Sequence, residues 1–136
     1  QYVVEGAIRW KDYTTISPSV FGQHVARQAL ADEEAILAEN RALARRNRDM
    51  VEAFLAEHDL DWFEPVGVNG FVRLPDGYDG SRDFCRQVVE EEAVVLAPGD
   101  CFGYDDFFRI GFGLPTDELE TGLTRLGSFL DRHGDG

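Results

Sequence analysis

Pro98-Gly99-Asp100-Cys101-Phe102-Gly103, then Tyr104-Asp105-Asp106, then Phe107-Phe108-Arg109-Ile110-Gly111-Phe112-Gly113-Leu114-Pro115, is the stretch on which the fold turns. Pro98-Gly99 stops a short apolar run, Val94-Val95-Leu96-Ala97, that reads as a buried strand. Residues 107–112 are almost continuously apolar and read as the last strand. Leu114-Pro115 leads into a helix for which Thr116 is the expected cap, with Asp117 and Glu118 at the positive end of its dipole. Leu119, Leu123, Leu126 and Leu130 then recur at four, three and four residues, one apolar stripe of a helix.

Working backwards, residues 81–92 read as a helix started by Asp79 or Ser81. Trp62-Phe63-Glu64-Pro65 and Gly70-Phe71-Val72-Arg73-Leu74 read as short strands separated by a Gly/Asn turn, and Pro75-Asp76-Gly77 ends the second. The first half is helical. Residues 2–12 put Tyr2, Val3, Val4, Ala7 and Ile8 near one side, and Tyr13-Thr14-Thr15-Ile16-Ser17-Pro18 interrupts them as a loop. Ser17 or Ser19 can cap the next helix, with Phe21, Val25, Ala29 and Leu30 on its apolar side. From Asp32 onward Ile36, Leu43 and Met50 recur every seven residues, flanked by Leu37, Ala44 and Val51, and Phe54-Leu55 closes the stripe. The economical packing of this order is an α/β (α+β) two-layer sandwich, a small mixed or antiparallel sheet covered on one face by helices. The long helix in the N-terminal half is longer than so small a sheet can cover, and is expected to extend to meet something else.

At 136 residues the chain has the size of one ordinary domain, able to bury a core without disulfide or metal. Its 43% hydrophobic and 29% charged residues place it among globular proteins. No apolar run reaches the roughly twenty residues of a membrane span. Gln1-Tyr2-Val3-Val4-Glu5 lacks the basic start and apolar stretch of a signal peptide, and a cytoplasmic location is expected. The absence of an initiator methionine raises the expectation of a piece of a longer chain. The 13 basic and 26 acidic residues give a net charge of −13, which speaks against nucleic acid and anionic membrane as partners. Lys11 is the sole lysine. A surface rich in Asp and Glu and nearly free of Lys fits a high-salt cytoplasm, and fits equally an acidic protein from an arginine-rich genome.

Read by themselves, few residues carry chemistry. Cys85 and Cys101 fit no metal-ligand spacing, and Cys85, beside Phe84, Val88 and Val89, reads as a buried structural thiol. His24, His58 and His133 are scattered, and no metal site is expected. Arg41, Arg45, Arg46 and Arg48 are interleaved with Glu39, Asp49 and Glu52 and read as a solvated face. Arg109 stands out, because a charge inside an apolar strand must be paired if it is buried. Its partner is either a structural carboxylate of its own domain or an anionic ligand gripped bidentately.

The run Pro98–Gly103, followed by Phe108–Gly113 and a Leu-rich terminal helix, resembles the end of the class I/II aminotransferases, pyridoxal-phosphate enzymes of the aspartate-aminotransferase fold (fold type I). Trp10-Lys11-Asp12-Tyr13-Thr14-Thr15-Ile16-Ser17-Pro18-Ser19 resembles the loop between the large and small domains in one branch of these enzymes. Pro65 to Phe71 is similar to the family's Pro-then-Gly-Phe strand pair. The resemblance spans essentially the whole chain. It implies that Arg109 binds the α-carboxylate of an amino-acid or keto-acid substrate, orienting the Cα–H bond against the cofactor ring. It places loop 13–18 near the cofactor site or the dimer interface.

The resemblance also implies what lies elsewhere. In such enzymes the large domain supplies the Schiff-base lysine, the aspartate on the pyridinium nitrogen and most phosphate contacts. That lysine is followed by a Gly-rich segment with an arginine, whereas Lys11 precedes Asp12-Tyr13-Thr14-Thr15 and reads as a surface or hinge lysine. Residues 1–31 are therefore expected to be interdomain helices and loop, and 32–136 the small C-terminal domain, with the large cofactor-binding domain missing. Pyridoxal phosphate belongs to the full-length parent, a homodimer, and none is expected in this chain, which has no catalytic residue and is expected to be inactive alone. The alternative is a stand-alone α/β binding or dimerisation module without catalysis. Exposed apolar area separates the two, since a severed domain leaves a large patch bare.

Overall fold

A computed structural model of the chain describes residues 2–15 and 17–133. The chain forms two compact units, Gln1–Glu39 and Asn40–Gly136. The boundary falls inside its longest helix.

The first unit holds α1 (Tyr2–Thr14), α2 (Val20–Ala31) and the start of α3 (Glu33–Glu57). α1 runs two residues further than its sequence suggests, and Thr14 Oγ1 donates back to the Trp10 carbonyl at 3.1 Å. The expected loop is thereby shortened, and its Ile16 lies outside the described residues. Ser19, one of the two expected caps, precedes α2 and its hydroxyl oxygen accepts from the Gly22 N–H. The apolar side foreseen for α2 is not covered, because no residue of that helix is buried. Tyr2, Trp10, Tyr13, Phe21, Val25 and Leu30 are all exposed, Tyr2 by 90% and Phe21 by 85%.

The second unit is built on a four-stranded, wholly antiparallel sheet of order β1-β2-β4-β3, where β1 is Trp62–Phe63, β2 Asn69–Arg73, β3 Ala97–Pro98 and β4 Phe107–Gly111. Helices α4 (Ser81–Glu92) and α5 (Thr116–His133) and the second half of α3 cover one face. Side chains alternate across a strand. Val72 of β2 with Phe108 and Ile110 of β4 therefore point into a core completed by Val51, Phe54 and Leu55 of α3, Phe84 and Val88 of α4, and Leu123, Leu126 and Phe129 of α5. Phe84 stacks on Phe108 with ring centroids 4.9 Å apart and meets Phe129 edge-on at 5.8 Å. Each such fully buried side chain contributes about 1.5–3 kcal/mol of transfer free energy. The predicted two-layer sandwich with one face covered is the architecture observed. α3 marks the limit of this core: Val51, Phe54 and Leu55 are buried, Leu43 and Ala44 half-buried, and Ile36 and Leu37 exposed.

Three local expectations change. The run Val94–Ala97 is not a buried strand. α4 ends on Ala93 in the left-handed conformation, the chain crosses to the sheet with Val95 83% exposed, and pairing begins only at Ala97. Pro98 lies within β3, which an edge strand tolerates because it need not donate on its outer side. Neither Asp79 nor Ser81 caps α4. Gly80 takes that position, and the Ser81 N–H donates to Asp105, from 24 residues away, at 2.9 Å. Thr116 is the first residue of α5, and its hydroxyl donates to Asn47 Oδ1 at 2.8 Å.

Asn47 is the polar side chain that fastens the core. It is fully buried, and its amide donates to the carbonyls of Phe112 at 2.9 Å and Leu114 at 2.8 Å while accepting from Thr116. One residue thus joins α3 to the segment between β4 and α5. Replacing Asn47 by Leu strands two carbonyls and a hydroxyl, and the expected loss is about 3 kcal/mol in urea unfolding. A loss under about 1 kcal/mol would mean that water replaces the amide.

Candidate functional site

The face of the sheet away from the helices carries the candidate site. β4 pairs with β2 and β3 so that Arg109 stands opposite Phe71 on one side and Ala97 on the other. Its neighbours along the strand, Phe108 and Ile110, are buried under the helices, so alternation brings the half-buried Arg109 side chain onto the open face. Its guanidinium carbon lies 4.8 Å from the centroid of the Phe102 ring, within cation–π range. Phe71 meets Phe102 edge-on at 5.4 Å and Tyr104 at 6.1 Å, closing an aromatic floor on one side of the arginine. No carboxylate among the described residues lies within ion-pair distance of Arg109. Of the two partners the sequence left open, a structural carboxylate is not the arrangement seen.

The turn that delivers Phe102 is fixed from below. After β3 the chain makes a 3-10 turn over Gly99–Phe102 and leaves it through Gly103 at φ +83°. A side chain at Gly99 would run into the carbonyl oxygens of Tyr104 and Phe107, so only glycine fits there. The fully buried Ser81 ties the turn to α4. Its hydroxyl donates to Asp105 Oδ1 at 2.8 Å and accepts from the Asp100 N–H at 3.0 Å. These Ser81 hydrogen bonds, side chain first and backbone second, hold the Asp105 carboxyl below its ordinary range. Arg82 pairs with Asp100 on the outside of the turn.

Other candidates are kept apart by the fold. Arg73 shares the open face, with its guanidinium 5.0 Å from the Phe107 centroid. His58 packs on Phe54 and contacts its carbonyl at 3.0 Å, while His133 pairs with Glu91 at 3.1 Å. Among the described residues no group of His, Cys, Asp or Glu is placed to hold a metal ion, and no helix is long and apolar enough to cross a membrane. Arg48 bonds Glu52 and Glu64, and Arg41, Arg45 and Arg46 are exposed, the solvated face that their interleaving suggested. A groove of about 430 Å³ between α3 and α5, bordered by Met50, His58 and Asp131, lies on helices and takes nothing from β4. Sequence reasoning missed Phe102 as the partner of Arg109 and Asn47 as the tether of the following loop. Phe102 stood within the Pro-Gly/Phe-Gly run, but only the fold shows which ring meets the guanidinium.

Residues 2–126 match the family model described as aminotransferase class I and II. The chain belongs to that family. Capreomycidine synthase of Streptomyces vinaceus is 33% identical over 139 aligned residues, which take in 100% of this chain and 36% of that protein. Aromatic-amino-acid aminotransferase 2 of Thermococcus litoralis is 31% identical over 135 residues, 96% of this chain and 35% of the relative. A crystal structure of a PLP-dependent aminotransferase from Streptococcus suis superimposes with a TM-score of 0.85 at 34% identity, covering 91% of this chain and 33% of that one. The chain thus spans about a third of the length of the relatives it matches.

The Streptococcus suis structure is that of a PLP-dependent enzyme, and Lys11 is the one lysine this chain could offer such a cofactor. Lys11 is exposed on α1, in a unit where none of the described residues is buried.

The two thiols differ sharply. Cys85 is buried and its pKa is raised to about 11, first by burial and then by Asp100 and Cys101, whereas Cys101 is exposed. At pH 8 a short pulse of iodoacetamide should label Cys101 and spare Cys85, with both labelled in denaturant, as read by peptide mass spectrometry. A thiol whose pKa rises on folding stabilises the fold fully below its unfolded value and ceases to do so above the folded one. Cys85 should therefore stay protected until pH approaches about 11. Equal labelling at pH 8 would contradict its burial.

Proposed function

We propose that this chain is the small C-terminal domain of a pyridoxal-phosphate-dependent aminotransferase, and that Arg109 binds the α-carboxylate of its amino-acid and keto-acid substrates. The observation that carries this reading is the placement of Arg109: on the open sheet face, over the Phe102 ring, with no carboxylate partner among the described residues. A planar guanidinium held in this way donates two parallel N–H bonds to a carboxylate, which fixes both the position and the rotation of the substrate. The cofactor belongs to the part of the parent outside this chain, and the isolated chain is inactive. Closure of this domain over the site would exclude water from it. The parent is proposed to be a cytoplasmic homodimer.

The bare apolar surface of the first unit supports a severed domain over a stand-alone binding module. Residues 1–31 are read as the interdomain helices, with 32–136 forming the small domain proper. A second reading keeps the same carboxylate clamp but gives the parent another reaction of the family. The match to a protein named as a synthase favours it.

Replacing Arg109 by Ala in the full-length parent should raise KM for the amino-acid substrate about 100-fold, the scale of a lost charge-assisted pair, while bound cofactor absorbance stays unchanged. Loss of the cofactor instead would reassign the residue. Mixing the isolated chain with pyridoxal phosphate and reducing with borohydride should leave Lys11 without a stoichiometric adduct. A saturable one-to-one adduct at Lys11 would overturn the assignment of the cofactor to the missing part.

A further inference from the structure

We infer that Phe102 is a positioning residue for substrate binding: its ring holds the Arg109 guanidinium in the orientation that leaves the N–H fork free. The inference rests on the reading of Arg109 as the carboxylate clamp. An arginine that must wait for its ligand faces a conflict, since a fixed carboxylate partner would occupy the donors that the substrate needs. An aromatic face resolves it. It attracts the cation through its quadrupole and takes none of the N–H donors.

The surroundings of Phe102 support a dedicated role. The ring is 45% exposed and so adds little to the core, yet it is held from two directions. Phe71, the residue paired with Arg109 across β2, meets it edge-on at 5.4 Å. Beneath it, the 3-10 turn is closed by Tyr104 N–H donating to the Gly99 carbonyl at 3.0 Å, and is tied to α4 through Ser81, Asp100 and Asp105. Phe102, Phe71 and Arg109 thus form a small cluster fixed to the sheet on one side and to α4 on the other. A side chain placed only for packing would be expected deeper, as Phe84 and Phe108 are.

The test uses the full-length parent and three substitutions measured side by side. Phe102→Leu keeps apolar bulk and removes the π face, Phe102→Tyr keeps the face, and Arg109→Ala removes the clamp. The expected result is a KM for the amino acid raised about five- to tenfold in Phe102→Leu, with kcat within about twofold and wild-type KM restored in Phe102→Tyr. Equal KM values in wild type and Phe102→Leu, together with a large rise in Arg109→Ala, would sink the inference and leave the clamp standing. No effect in Arg109→Ala would remove the clamp itself. If Phe102→Leu fails to fold, Phe102→Tyr and Phe102→Trp retain the test. Both should bind substrate at least as tightly as wild type, and a tenfold loss in both would show that shape rather than the π face matters.

Discussion

Alternation along β4 is the constraint from which the second unit follows. The strand is central, paired on both sides, and its inward residues Phe108 and Ile110 form the middle of the core. Arg109, between them, must then face the other way. A slip of one residue would carry a guanidinium in among Phe84, Phe129 and Leu126 and bring Phe108 into solvent, and an unpaired buried charge costs several kcal/mol. The register is therefore enforced from the helix side, and the arginine receives its orientation as a consequence. Asn47 adds a stop at the end of the strand by binding the carbonyls that follow it.

The open face is organised by different forces from the covered one. Beneath the helices, contacts are apolar and closely packed. Across the sheet, cations lie over rings, Arg109 on Phe102 and Arg73 on Phe107, and ordering comes from turns with their own hydrogen bonds. The turn at Gly99–Phe102 depends on a carboxylate that acts at a distance, because Asp105 holds the first N–H of α4 and the hydroxyl of Ser81 together. The helix start and the position of Phe102 are in this way set by one group.

Much of this was legible in the residues. The period-seven stripe of α3, the four-three-four leucines of α5 and the apolar run of β4 each announce an element, since burial on one face leaves a periodic trace. The residue that gives the site its cation was legible too, because a lone arginine in an apolar strand has to be explained. What was not legible is non-local. Ser81 looks like a helix cap and is instead held by Asp105, and Thr116 looks like a cap and donates to Asn47 from 69 residues away. Val94-Val95-Leu96 has the composition of a strand, but Ala93 ends α4 so that the chain must cross a gap before it can pair. Local preference cannot register a partner that only the tertiary fold brings near.

The edges of the sheet have a consequence for how the chain would behave on its own. β1 and β3 are two residues long, and β3 ends on a proline, which has no N–H to offer an incoming strand. The sheet therefore gives little purchase for growth by added strands. The exposed tyrosine, tryptophan and phenylalanine side chains of α1 and α2 are sticky in another sense, on helices whose backbone bonds are already satisfied internally. Self-association driven by that surface would proceed by lateral packing of side chains, weakening on cooling as apolar contacts do, rather than by the templated backbone pairing that makes fibrils hard to reverse.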